Sequence, residues 1–204
     1  MADAAMSYQE SIPSFRKENA PAKGYTYKNY LSWGEEIHCE LINGMPYMMA
    51  APGEWHQRVT GEVFFQLKGQ LKDKPCRAYI APFDVRLFPQ DNESDMVVVQ
   101  PDVLVVCDSK KLSDGRACKG APDFVVEVVS KGSRGKDFGE KKNLYEKSGV
   151  RELWLIDRDA LYKNILIDGK FAETVIDFET ETNINVEIFP GCNVDFRDVL
   201  NQTL

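Results

Sequence analysis

The sequence predicts a mixed α/β domain, and three observations carry that expectation. The segments His56–Leu71 and Lys136–Ser148 place apolar residues at helical spacing. Between residues 79 and 130, strand-like runs follow one another with no helical segment between them. After residue 152, short apolar runs recur at turn-like intervals. Strands punctuated by two good helices belong to a mixed α/β architecture. At 204 residues the chain is long enough to bury a sizeable core.

The elements follow in order. Residues 1–22 are polar, with Pro13 and Pro21, and read as a flexible arm; residues 23–204 read as one domain. Thr26–Trp33 reads as a short amphipathic helix with Thr26 as its N-cap. Asn43-Gly44 between two apolar runs signals a hairpin, with Glu40 on its first strand. Val59, Val63, Phe64, Leu67 and Leu71 mark the first long helix, and His56 falls in its first turn. Ala78–Phe88 reads as a strand in which Pro82 argues for an edge or a bulge. Val97–Cys107 reads as a second strand, interrupted at Pro101-Asp102, and Phe124–Ser130 as a third. With no helices between them, these strands are expected to form an antiparallel meander. Lys136–Ser148 is the second helix, closed by Gly149. Glu152–Asp157 is a strand. Leu161–Ile167 and Ala172–Phe178 flank Asp168-Gly169, Ile184–Phe189 follows as a strand, and Val194–Leu200 reads as a last short helix.

Composition narrows the function classes. The net charge of −7 argues against a general nucleic-acid coat protein, though not against an enzyme with a local basic rim. Cys39, Cys76, Cys107, Cys118 and Cys192 are odd in number and form no CxxC. That argues against a zinc ribbon or a disulfide framework and for free thiols in a reducing cytosol. No apolar run approaches the ~18 residues of a membrane span, so a cytoplasmic protein without a membrane partner is expected. There is no GxGxxG, P-loop or Ser/His/Asp signature.

The chemistry concentrates in Asp123–Tyr145. Glu127 lies in the middle of an apolar strand, where an uncompensated carboxylate is costly. Pairing the strands about Asp114-Gly115 sets Asp102 opposite Glu127. Two carboxylates on one sheet face repel each other unless a cation sits between them. Hard divalent cations favour such oxygen ligands. Lys141 shares a helical face with Phe138, Leu144, Tyr145 and Ser148, a partly apolar setting that is unusual for lysine. Together these residues suit metal-assisted hydrolysis, with Lys141 orienting water or stabilising transition-state charge. Plainer readings stand beside this one. Glu127 could be an acid paired with arginine or turned to water on an edge strand, and Asp102 a turn acid. Lys141 could snorkel to solvent, and His56 could be a helix-start residue. Lys131, Arg134 and Lys136 are either a solvated loop or a phosphate grip beside the site.

The segments CELINGMPYMM, HQRV, APFDVRL, VVQPDVLVVCD, GAPDFVVEVVS and KDFGEKKNLYEKSGVRELWLID run from Glu40 to Asp157 in a single series. In this order they resemble the Uma-type putative restriction endonuclease family, a branch of the PD-(D/E)XK nuclease superfamily. The resemblance implies a restriction-endonuclease-like core: a mixed central β-sheet flanked by helices, here with extra C-terminal strands. It implies a Mg²⁺ site, with Mn²⁺ able to substitute, in which Asp102 and Glu127 are the two acids. Glu40 joins them as a further metal ligand, with His56 and Gln100 as supporting residues. The superfamily lysine stands two residues after the second acid, where this chain has Val129. In this branch it is displaced to the following helix, where Lys141 stands. The loop Ser130-Lys131-Gly132-Ser133 also departs from the family's Ser-Pro-Ser. The expectation is a Mg²⁺-dependent endonuclease acting on DNA, as a homodimer. The alternatives are a degenerate nuclease-fold module that binds nucleic acid or protein, and a hydrolase of some other phosphoester.

Overall fold

The structure, a computed structural model, describes residues 21–34 and 37–201. Of the arm expected at 1–22, only the last two residues fall within this range. In chain order the elements are helix α1 (Tyr27–Tyr30), strands β1 (Cys39–Ile42) and β2 (Met45–Met48), and helix α2 (Glu54–Gln70). Next come β3 (Arg77–Ile80), β4 (Val85–Arg86), β5 (Val98–Val99), β6 (Val103–Val106), β7 (Cys118–Lys119) and β8 (Phe124–Val128). Helix α3 is built of three pieces, Arg134–Lys136, Asp137–Lys141 and Lys142–Ser148. It is followed by β9 (Glu152–Ile156), β10 (Ala160–Ile167), β11 (Lys170–Asp177), β12 (Asn183–Asn185), β13 (Asn193–Asp195) and helix α4 (Arg197–Asn201). The chain divides into two compact units, Met1–Ala51 with Phe88–Val99, and Pro52–Leu87 with Gln100–Leu204.

In the first unit, Asn43 and Gly44 both adopt positive φ, 50° and 77°, as a tight two-residue hairpin requires. That turn fixes the register of β1 on β2, with Glu40 opposite Tyr47. β5 adds to the other edge of β1 through Leu41 and Val98. Tyr27, Leu41 and Val98 are buried together, with Tyr25, Tyr30 and Trp33 packed around them. Thr26 caps α1 through a capping box with Asn29.

The second unit is organised by a six-stranded sheet in the order β11-β10-β9-β8-β6-β3. β3, β6 and β8 pair antiparallel, as expected of the meander. β8 and β9 are parallel, because α3 carries the chain back across the sheet between them. All five residues of β8 and of β9 are buried, as strands covered on both faces are. On one face, Val59, Val63 and Leu67 of α2 meet Val103 and Val105 of β6, Phe124 and Val126 of β8, and Trp154 of β9. Each such fully buried side chain contributes roughly 1.5–3 kcal/mol relative to exposure. The face carrying Glu127 is covered by α3.

Several expectations are corrected. The single strand expected over Ala78–Phe88 is two, with Pro82 between them, and proline cannot donate to a ladder. The polar linker after Cys107 holds a short 3₁₀ turn, Ser109–Leu112, and the strand β7, which pairs parallel with β4. Of Ile184–Phe189, only the start is strand, and Val194–Leu200 divides between β13 and α4. The Asp168-Gly169 hairpin forms as read, again with both residues at positive φ. No helix among the described residues is long and apolar enough to cross a membrane.

The expectation of five free thiols is overturned for two of them. Cys76 and Cys107 form a disulfide, while Cys39, Cys118 and Cys192 are buried and outside any disulfide. Arg77 pairs with Val106, so Cys76 and Cys107 occupy the next rung of the same ladder. Strand pairing brought them together, and spacing along the chain gave no sign of it. Such bridges persist mainly in oxidising compartments, so this one bears on the cytosolic setting inferred from the cysteine count.

Thiol counting tests this directly. Denatured without reductant, the protein should show three reactive thiols, the five cysteines of the sequence less the two in the bridge. Reductant should raise the count to five. Replacing Cys76 and Cys107 by serine should cost roughly 2–4 kcal/mol of stability. Five thiols before reduction would remove the bridge from the account.

Candidate functional site

The β6–β8 register pairs Val103 with Val126 and Leu104 with Val125. Continued by one rung, it sets Asp102 opposite Glu127, as the sequence midpoint indicated. Asp102 itself lies just before β6, and its backbone carbonyl accepts from the Ala81 N–H at 3.0 Å. Its Oδ2 accepts the Val128 N–H at 2.6 Å and sits 3.3 Å from His56 Nε2. The first turn of α2 therefore delivers a ring nitrogen to the acid at the head of β6. Thr60, one helical turn on, lies 3.4 Å from the other ring nitrogen of His56.

Glu127 is 4% exposed and Lys141 3%. Lys141 Nζ lies 2.6 Å from Glu127 Oε1, and the Tyr145 hydroxyl donates to the same oxygen. Asp137, also 3% exposed, stands 3.9 Å from Lys141 Nζ. Breaking a buried pair of this kind by removing one partner typically costs about 3–5 kcal/mol, because the remaining charge is left in a poor solvent. Two of the plainer readings of the sequence therefore fall. Lys141 does not reach solvent, and Glu127 does not face water.

A local irregularity sets this arrangement. The Asp137–Lys141 turn of α3 is a π-turn, wider than the α-turns on either side. Asp137, Lys141 and Tyr145, four residues apart in succession, are all buried. Turns of this kind are rare and cluster at functional sites. Sequence reading named Lys141 and the face it shares with Tyr145. It missed Asp137 and the role of the Tyr145 hydroxyl. The i, i+4 spacing of Asp137 from Lys141 was the available signal.

The other sequence candidates are placed as follows. Glu40 is 2% exposed on β1 of the first unit. Gln100 is buried, and its amide donates to Asp84 Oδ1 at 2.8 Å. Arg134 pairs with Asp157 and lies over the Phe138 ring, 4.7 Å from its centroid. Lys131 is exposed and Lys136 half-buried.

Among the described residues no group of three or more His, Cys, Asp or Glu side chains is gathered tightly enough to hold a metal ion. The donors that are present nevertheless fit a hard cation. Asp102 and Glu127 offer carboxylate oxygens from the head of β6 and from the neighbouring β8. Mg²⁺ commonly takes one or two carboxylates and completes its shell with water and substrate phosphates. Asp102 Oδ1 is engaged by neither Val128 nor His56.

His56 carries the site's resolved titration. Burial opposes charge on the ring and is the largest single influence. The hydrogen bond to Asp102 and the charges of Asp102 and Asp137 together outweigh it, so the pKa is raised. The pair's contribution to stability is therefore fully present below the unfolded histidine value of about 6.5. It is lost as pH rises through the raised folded value. Ring NMR of the metal-free protein should place the His56 titration above that of a free histidine, and Asp102→Asn should lower it. An unchanged titration in the variant would show that the contact does not hold in solution.

Comparison with known proteins places this geometry. The Uma2 family model, described as "Putative restriction endonuclease", matches residues 27–197. No curated protein matches. A solved structure of a putative nuclease belonging to DUF820, from Anabaena variabilis ATCC 29413, superposes with a TM-score of 0.67. It is 17% identical, and the match covers 86% of this chain and 97% of that one. At that identity the likeness is one of fold: a mixed α/β nuclease-like architecture. With the family model spanning most of its length, the chain belongs to the Uma2 family of putative restriction endonucleases.

Proposed function

We propose that the protein is a Mg²⁺-dependent endonuclease that hydrolyses DNA phosphodiester bonds at Asp102, Glu127 and Lys141. The observation that carries this reading is the buried Glu127–Lys141 pair, at 2.6 Å, on the strand facing Asp102. Lys141 comes from the helix after β8, so a lysine reaches the second acid although Val129 fills the ExK position. Family membership and the nuclease-like fold support the reaction class.

Asp102 and Glu127 would hold the ion, with Mn²⁺ able to replace Mg²⁺. Bound there, it would supply an activated water and charge stabilisation at a phosphoryl oxygen. The chain's own groups do the positioning. The Val128 N–H and His56 fix the Asp102 carboxylate. Lys141 and Tyr145 fix that of Glu127. The Lys141 ammonium, held in a buried site with Asp137 behind it, is a preorganised donor for the attacking water or for charge developing in the transition state. Gln100 stays in the proposal as a supporting residue beside the acids. Cleavage of both strands would call for a two-fold dimer.

One observation favours the alternative of a degenerate binding module. Glu127 Oε1 is already engaged by Lys141 and Tyr145, and no three-residue metal cluster is gathered among the described residues. Cleavage of plasmid and oligonucleotide DNA in Mg²⁺ or Mn²⁺ separates the two readings. The wild type should cut, and Glu127→Gln and Asp102→Asn should each lose on the order of 100-fold or more, as when a preorganised charge-stabilising group is removed. Wild-type cutting with undiminished variants would reject the residue assignment. A folded wild type that binds DNA without cutting would favour the module.

A further inference from the structure

β8 and β9 run parallel, so their carboxyl ends emerge at the same edge, and Glu127 is level with Leu155. Ligands of open α/β sheets bind at that edge. Beyond it the chain makes a tight turn from Asp157 to Ala160, closed by the Asp157 N–H donating to the Ala160 carbonyl at 2.9 Å. Arg158 stands on this turn, exposed, three residues past Leu155. At about 3.3 Å per residue that is roughly 10 Å from the level of Glu127.

Arg158 differs from the other arginines nearby. Its guanidinium lies 5.0 Å from the centroid of the Trp55 ring. Trp55 precedes His56 in the first turn of α2, so the residue that supports Arg158 adjoins the one that contacts Asp102. Asp157 would be the natural counter-ion, but it is taken by Arg134. Arg58, on the same helix as Trp55, pairs with Glu54 at 2.9 Å. Among the described residues the Arg158 guanidinium makes no ion pair and no side-chain hydrogen bond. It is an exposed cation lying over an aromatic face, in a chain of net charge −7.

We propose that Arg158, seated on Trp55, binds a phosphate of the nucleic-acid backbone beside the carboxylates. The inference rests on the nuclease reading above and adds a specific grip to it. Sequence reading left Lys131, Arg134 and Lys136 as either a solvated loop or a phosphate grip. Arg134 is instead committed to Asp157 and Phe138, and by neutralising Asp157 it leaves Arg158's charge available. A planar guanidinium can meet a phosphate through two parallel hydrogen bonds. The stack on Trp55 removes part of the entropy cost of holding it there.

The test is fluorescence anisotropy with labelled duplex and single-stranded DNA across a salt series, in EDTA so that no cutting intrudes. Arg151→Gln is the control: it makes the same change in charge at the opposite end of β9, where Arg151 lies beside Asp123. Arg158→Gln should weaken binding to all sequences alike and make the slope of log affinity against log salt shallower by about 0.7–0.9, the value for one phosphate contact. Arg158→Lys should restore the slope but not the full affinity. Arg151→Gln should change neither. An unchanged slope in Arg158→Gln, or an equal change in Arg151→Gln, would overturn the inference and leave the nuclease reading standing. A wild type that binds neither form of DNA would overturn both.

Discussion

The Glu127–Lys141 pair is the constraint on which the rest of the site depends. Two opposite charges, each under 5% exposed, have been taken out of water. Neither is tolerable alone, so strand β8 and helix α3 must meet in one register. The π-turn at Asp137–Lys141 is the backbone's answer, bringing Asp137 and Lys141 inward while Tyr145 below them reaches the same carboxylate. Apolar residues of similar size would hold strand and helix together as well or better. Stability alone therefore gives little reason for this pair, and the proposed chemistry at Glu127 would supply one.

The site is split between elements in a way that explains its motif. In the superfamily pattern, acid and lysine are two residues apart on one strand and so project to the same face. Here the corresponding position, Val129, is apolar, and the lysine arrives from across the sheet. The crossover that makes β8 and β9 parallel also places α3 over the Glu127 face. Under the proposed function, a side chain reaching down from a helix would replace one on the strand, because the requirement is on where the ammonium sits, not on sequence spacing.

Much of this was legible in the sequence because the signals were local. Asn43-Gly44 and Asp168-Gly169 fixed two hairpins through residues that accept positive φ. The periodicity of Val59, Val63 and Leu67 gave α2, and the Asp102–Glu127 register followed from the midpoint of the intervening loop. What escaped was set by the fold at a distance. The Cys76–Cys107 bridge depends on β3 lying beside β6. The pairing of β4 with β7 draws two-residue strands out of segments that read as a strand end and a polar linker. The π-turn has no composition signature, and Asp137 went unremarked in the sequence. Arg158 carried no signal in the sequence because its environment, Trp55, lies about a hundred residues earlier.

The central claim is that Glu127 and Asp102 are metal ligands and that Lys141 serves them. A crystal of the protein soaked in Mn²⁺, with anomalous scattering recorded at the manganese edge, tests this most directly. The account predicts one peak in contact with both Asp102 and Glu127, with the Lys141 ammonium close enough to bond a water on the ion. Absence of a peak at millimolar Mn²⁺, with Glu127 still held by Lys141 and Tyr145, would contradict it.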